Sequence, residues 1–177
     1  MEGAGGCGLT SYLRAGLIAG AAVLLLDQAS KLWLLFEFDI ARRGAVTLTP
    51  FVDLVLTWNA GISFGWFQSD STFAQIVLTL VKAAAVIILA VWMARSRTLL
   101  ATIGLGMIIG GAIGNAIDRF AYGAVVDFVL FHVTIGENTY NWYVFNLADV
   151  AIVAGVAALL YDSLLGVYPP QKRPDPG

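Results

Sequence analysis

The sequence predicts a membrane protein, mainly α, with four transmembrane helices and a small β-sheet on the outer membrane surface. Three observations carry this. The chain is 59% hydrophobic and only 12% charged, against about 25% charged residues in an ordinary soluble domain. Four windows reach the roughly 20 apolar residues that a span requires. The two long segments between spans are rich in β-branched and aromatic residues, as strands are.

The first span is expected over about 12–35; it is too long for the apolar region of a signal peptide and has no clear cleavage site. The second runs over about 72–93 and the third over about 98–117. The fourth covers about 148–167 and stops before Pro169-Pro170, which cannot continue a helix. Lys and Arg set the orientation. Arg14, the short turn with Arg95 and Arg97, and the tail with Lys172 and Arg173 share one side. Arg42, Arg43 and Arg119 are spread over two much longer loops on the other. Both termini are therefore expected to be cytoplasmic, with loops 36–71 and 119–147 facing outward. The strand pattern falls in those loops: TLTPFVDLVLTWNAGISFGWF (47–67), punctuated by Pro50 and Gly61, and Val125 to Val144, with a turn at Gly136-Glu137-Asn138. No internal repeat is present, and the 177 residues read as a single integral membrane domain.

Several chemistries are excluded early. A net charge of −2 supplies no basic field for nucleic acid. The single cysteine, Cys7, allows no internal disulfide and no multi-cysteine metal site. It follows Ala4-Gly5-Gly6, but no apolar stretch precedes it, so a lipidation signal is rejected. One histidine, His132, is too few for an HExxH site and has no Ser-His-Asp context. No metal and no cofactor are expected.

What remains is a set of carboxylates and amides. Asn115 and Asp118, three apart, share a helix face at the outer end of the third span. Asn146 and Asp149 repeat the spacing at the outer start of the fourth, so both pairs lie at similar depth. Asp127 sits between them, flanked by Val125, Val126 and Phe128. Asp27, Gln28 and Lys31 add a polar cluster toward the outer end of the first span. Asp149 alone reads equally well as a partner for its helix dipole. The whole set does not, because ionisable groups at membrane depth are costly and usually functional. Two carboxylates in a confined site hold one proton between them. The ionised one acts as base on a water, and the protonated one polarises a carbonyl and then protonates a leaving amine. That is aspartyl peptide hydrolysis. Spacing alone leaves either Asp118 or Asp127 as the partner of Asp149.

Five stretches, DQASKLW (27–33), WNAGISFG (58–65), GGAIGNAIDR (110–119), GAVVDF (123–128) and FNLAD (145–149), resemble in order and content the motif series of the lipoprotein signal peptidase family, signal peptidase II. The resemblance covers roughly residues 27 to 155. It implies a bacterial inner-membrane aspartyl protease with four transmembrane helices and an outer β-cradle. Its substrates are diacylglyceryl-modified prolipoproteins, cut just before the modified cysteine. It also implies that Asp127 and Asp149 form the dyad and that Asn59, Asn115, Arg119 and Asn146 line the substrate site. On physical grounds Asp127, among apolar neighbours, suits a raised pKa better than Asp118 beside Arg119. Asp27 and Lys31, an i,i+4 pair that neutralises itself, read as structural, with Asp118 beside them as a third structural polar residue. Gly110, Gly111 and Gly114 read as close-packing positions. Membrane lipid is the expected surrounding partner, and a monomer the expected state.

Lys82 falls mid-way along the second span, where an unpaired ammonium costs roughly 2.5–3.5 kcal/mol; a polar neighbour such as Asp27 is one expectation. Trp58, Trp66 and Trp142 suit anchoring at the headgroup level. The rival reading is a small proton-coupled transporter relaying protons through Asp27, Lys82 and Asp118. Against it, most carboxylates gather at one interface rather than mid-membrane, and there is no repeat.

Overall fold

The computed structural model describes residues 5–60 and 72–165. Helix α1 (Gly5–Leu32) passes into a π-helical turn (Trp33–Glu37), followed by the short α2 (Ile40–Arg43). Strands β1 (Val46–Thr49) and β2 (Val52–Asn59) come next, then helices α3 (Thr72–Arg95) and α4 (Leu99–Tyr122). Strands β3 (Val125–Ile135) and β4 (Asn138–Phe145) lead into α5 (Leu147–Leu165). Among the described residues three stretches are long and apolar enough to cross a membrane: Ser11–Glu37, Leu99–Tyr122 and Leu147–Leu164. Helix α3 falls where the second span is expected, and its described apolar stretch is Ala83–Arg95. The side chain of Lys82 lies outside the described residues, as do Gly61 and Trp66.

Helix α4 is the centre of the bundle and packs on α1 and α5. Glycines make the contact close. A Cβ at Gly106 or Gly110 would collide with the backbone carbonyls of Gly16 and Gly20 on α1. A Cβ at Gly111 would stand 2.6 Å from the Ala148 carbonyl oxygen on α5. In lipid, where apolar surface gives no net drive for helices to associate, such backbone approach supplies the packing energy. Thr98 starts α4, its hydroxyl accepting the Ala101 N–H at 3.2 Å. Gly123, at φ 74°, ends it, donating its N–H to the Arg119 carbonyl at 3.0 Å. The helix thus runs to Tyr122, and Arg119 stands on it rather than in the following loop.

The strands form one antiparallel sheet in the order β1-β2-β3-β4. Its inner face closes on the π-turn and α2 through Leu34, Ile40 and Phe128, with Phe38, Val46, Leu54, Leu56 and Val129 around them. The sheet is therefore fixed to the end of α1 that carries Asp27 and Lys31. The expected strand region over 47–67 forms β1 and β2 as far as Asn59; residues 61–67 lie outside the described residues.

Candidate active site

The chain returns to one place five times, from α1, β2, α4, β3 and α5. The base of the site is a buried ion cluster. The Lys31 ammonium lies 2.8 Å from Asp27 one turn away and 2.7 Å from Asp118 on α4, with the three side chains at 2%, 0% and 1% exposure. Two carboxylates on one ammonium need further donors, and the fold provides them. Asp27 Oδ1 accepts the Ala148 N–H at 3.0 Å, Asp118 Oδ2 accepts the Val126 N–H at 3.1 Å, and Gln28 donates to Asp118 Oδ1 at 2.9 Å. The cluster thus ties α1 to the starts of β3 and α5. The expected i,i+4 pair of Asp27 and Lys31 is formed, and Lys31 serves Asp118 as well.

Lys31 also donates to Asn115 Oδ1 at 3.1 Å, and Asn115 passes this on by donating from Nδ2 to Asp149 Oδ1 at 2.9 Å. Asp149 is held on its other oxygen too. Asn146, just before α5, accepts the Asp149 N–H on its side-chain oxygen at 3.0 Å. The Asn146 N–H returns the bond to Asp149 Oδ2 at 3.2 Å. This reciprocal cap stabilises the start of α5, so the helix-end role for Asp149 is real and coexists with any catalytic one.

Asn146 is the bridge to the second carboxylate. Its Nδ2 donates to Asp127 Oδ1 at 2.6 Å, and also to Asn115 Oδ1 at 3.1 Å. Strand pairing places Thr57 opposite Asp127 and Asn59 opposite Val125. Asn59 is thereby a diagonal neighbour of Asp127 on the same face, and its Nδ2 reaches Asp127 Oδ2 at 3.0 Å. Burial pushes the Asp127 carboxyl above the usual carboxylate range, and the nearby Asp149 adds to the rise. The amides of Asn59 and Asn146 and the Lys31 charge pull against it without cancelling it.

Arg119 is half-buried and donates to the carbonyl of Asn115 at 3.2 Å; among the described residues its guanidinium forms no ion pair. Asp27, Lys31, Asn59, Asn115, Asp118, Arg119, Asp127, Asn146 and Asp149, the residues expected at or beside the site, meet here. Asp118 is engaged by Lys31, Gln28 and a backbone amide, whereas Asp127 and Asp149 are joined through a single asparagine. Gln28 carries a larger part than its place in the sequence suggested; besides Asp27 beside it, its amide reaches the Gly114 carbonyl and Asp118 on α4. His132 lies five residues beyond Asp127 on β3, with Nε2 3.3 Å from Asp53 Oδ2 on β2. Among the described residues no group of three or more His, Cys, Asp or Glu side chains is placed to hold a metal.

A helical bundle of apolar stretches, with carboxylates gathered where a small sheet meets the helix ends, suits a membrane-bound peptidase of the aspartic type. The family follows from comparison. Residues 19–165 match the model of signal peptidase (SPase) II, and the chain belongs to that family. It is 70% identical over 162 residues to a lipoprotein signal peptidase of Nitrobacter hamburgensis, covering 92% of this chain and 98% of the relative. A lipoprotein signal peptidase of Rhodopseudomonas palustris (strain ATCC BAA-98 / CGA009) is 64% identical over the same shares. A solved structure described as a bacterial membrane enzyme superposes with a TM-score of 0.69 at 22% identity, covering 91% of this chain and 94% of that one, which is likeness of fold.

Proposed function

We propose that this protein is an endopeptidase that removes the signal peptide from prolipoproteins, cutting before the diacylglyceryl-modified cysteine with Asp127 and Asp149 as its dyad. The observation that carries the assignment is Asn146, which donates to both carboxylates and holds them at one site. The raised pKa of Asp127 favours it as the protonated member. Asp149, in the first turn of α5, has the helix dipole behind its negative charge. Asp149 takes a proton from water as the water oxygen bonds to the scissile carbonyl carbon. Asp127 donates its hydrogen to the carbonyl oxygen, and the tetrahedral intermediate collapses with breakage of the C–N bond. Asp149 passes the water proton to the amine nitrogen as it leaves, and a hydroxyl of the intermediate returns a proton to Asp127, so the products are a carboxylic acid and a free amine and the dyad is restored. Asn59, Asn115 and Asn146 orient the two acids, and the Arg119 guanidinium, which gives one donor to the Asn115 carbonyl, has others to hold a substrate carbonyl.

In this reading α1, α3, α4 and α5 are four spans of a bacterial inner-membrane monomer. Both termini are cytoplasmic, and the dyad lies at the outer face under the sheet. The substrate's lipid sets the register of cleavage. A signal helix alone slides or tilts at a cost of only fractions of a kcal/mol per Å. A diacylglyceryl group adds about 0.8 kcal/mol per buried CH₂, enough to fix the depth of the scissile bond. The test is to incubate the purified protein with lipid-modified and unmodified forms of one prolipoprotein and follow signal peptide release. Rapid release from the modified form alone is expected. Equal rates would sink lipid-directed positioning, and no release from either would sink the activity. The transporter reading finds no support: Asp27 and Asp118 are engaged by Lys31 at one end of the bundle.

A further inference from the structure

We infer that the end of the bundle opposite the dyad carries a binding site for the headgroup of an anionic phospholipid. A cavity of about 370 Å³ opens between the α3–α4 turn and the last turns of α5, lined by Trp92, Arg95, Ser96, Arg97, Asp162 and Ser163 among others. From Thr98 to Asp118 helix α4 covers roughly 30 Å, so this cavity and the active site belong to opposite leaflets.

The charge of the lining suits a phosphodiester. Two guanidinium groups face one carboxylate, and among the described residues neither Arg95 nor Arg97 is held by an ion pair or a hydrogen bond. Asp162 is already occupied, accepting the Thr98 hydroxyl at 3.0 Å. The wall therefore carries one net positive charge beside two serine hydroxyls, which complements one phosphodiester monoanion. The surroundings select a lipid over free phosphate. Trp92 on the cavity wall is exposed, as are Leu99, Leu160 and Leu164, each within a few residues of the lining on α4 and α5, so acyl chains have apolar side chains to lie against while the phosphate sits among the arginines. Basic pockets between membrane helices on the cytoplasmic side bind anionic headgroups on the same physical basis.

The full chain in detergent is titrated with short-chain phosphatidylglycerol, short-chain phosphatidylcholine and inorganic phosphate, with binding read by native mass spectrometry. Phosphatidylglycerol should bind best and inorganic phosphate worst. Arg95→Gln with Arg97→Gln should weaken phosphatidylglycerol roughly thirty-fold, at about fivefold for each guanidinium. Arg42→Gln, at an exposed surface arginine, should change nothing. Equal binding of the two lipids, or no loss in the arginine variants, overturns the site. Phosphate binding as tight as the lipid overturns its assignment to lipid. A measurement on the unaltered protein guards against misfolded variants: bromine-labelled phosphatidylglycerol should quench tryptophan fluorescence more than labelled phosphatidylcholine, and equal quenching refutes the proposal.

Discussion

Lys31 and Asp118 meet at 2.7 Å between α1 and α4, both almost wholly excluded from solvent. Removing one partner from such a pair leaves the other charge buried and uncompensated, which costs about 3–5 kcal/mol. Here two carboxylates depend on the one ammonium. Lys31→Met should therefore lower the thermal midpoint in detergent strongly, and adding Asp118→Asn should recover part of the loss. An unchanged midpoint in the single variant would mean that the cluster contributes little to the fold.

The dyad makes a sharper demand. Asp127→Asn and Asp149→Asn keep the shape of each group and remove its proton chemistry, so each should reduce cleavage by at least about a thousand-fold. Asp149→Asn should also cost about 1 kcal/mol of stability, because its carboxylate caps α5. Substantial residual activity in either variant would move the chemistry elsewhere.

Activity should follow a bell in pH. The proposed dyad shares one proton, so activity should fail when both carboxyls are protonated and again when both are ionised. The raised pKa of Asp127 carries the alkaline limb above the ordinary carboxylate value of 3.8. Asn59 donates to Asp127 and favours its charged form. Asn59→Leu should accordingly shift the alkaline limb to still higher pH. A shift in the opposite direction in kcat/KM profiles would contradict the assignment of the proton to Asp127.

Gly114→Ala tests how tightly the cluster is built. A Cβ there would stand 2.5 Å from Asp27 Oδ2, and overpacking of a filled site costs about 1–3 kcal/mol. The variant should melt lower and lose activity together, through displacement of Asp27 from the Ala148 N–H. A variant with wild-type melting and activity would show that the contact relaxes freely.

Much of this was legible in the chain because membrane helices announce themselves by length and apolarity. The Asp27–Lys31 pair and the Asn146–Asp149 pair also follow from helical spacing alone. The pairings between distant segments did not follow. Lys31 with Asp118 depends on how α1 and α4 face each other, which glycines at several positions set together. Asp53 with His132 depends on strand register, and a one-residue slip would separate them. Arg119 was expected in a loop because apolar periodicity fades after Ile117, whereas Gly123 is the actual helix stop. Spacing leaves the choice between Asp118 and Asp127 open; the resemblance points to Asp127, and the Asn146 amide between Asp127 and Asp149 supports that reading.

The bond from the Ala148 N–H to Asp27 also bears on biosynthesis. It joins the first described helix to the last, across nearly the whole order of synthesis. Asp149 enters the membrane only with α5, and Asp127 is held by a residue at the very start of that helix. A nascent chain still lacking α5 thus has only one of the two carboxylates proposed as the dyad, no bridging amide and an ion cluster without the Ala148 N–H. On the proposed dyad, peptidase activity is therefore expected only once α5 has docked.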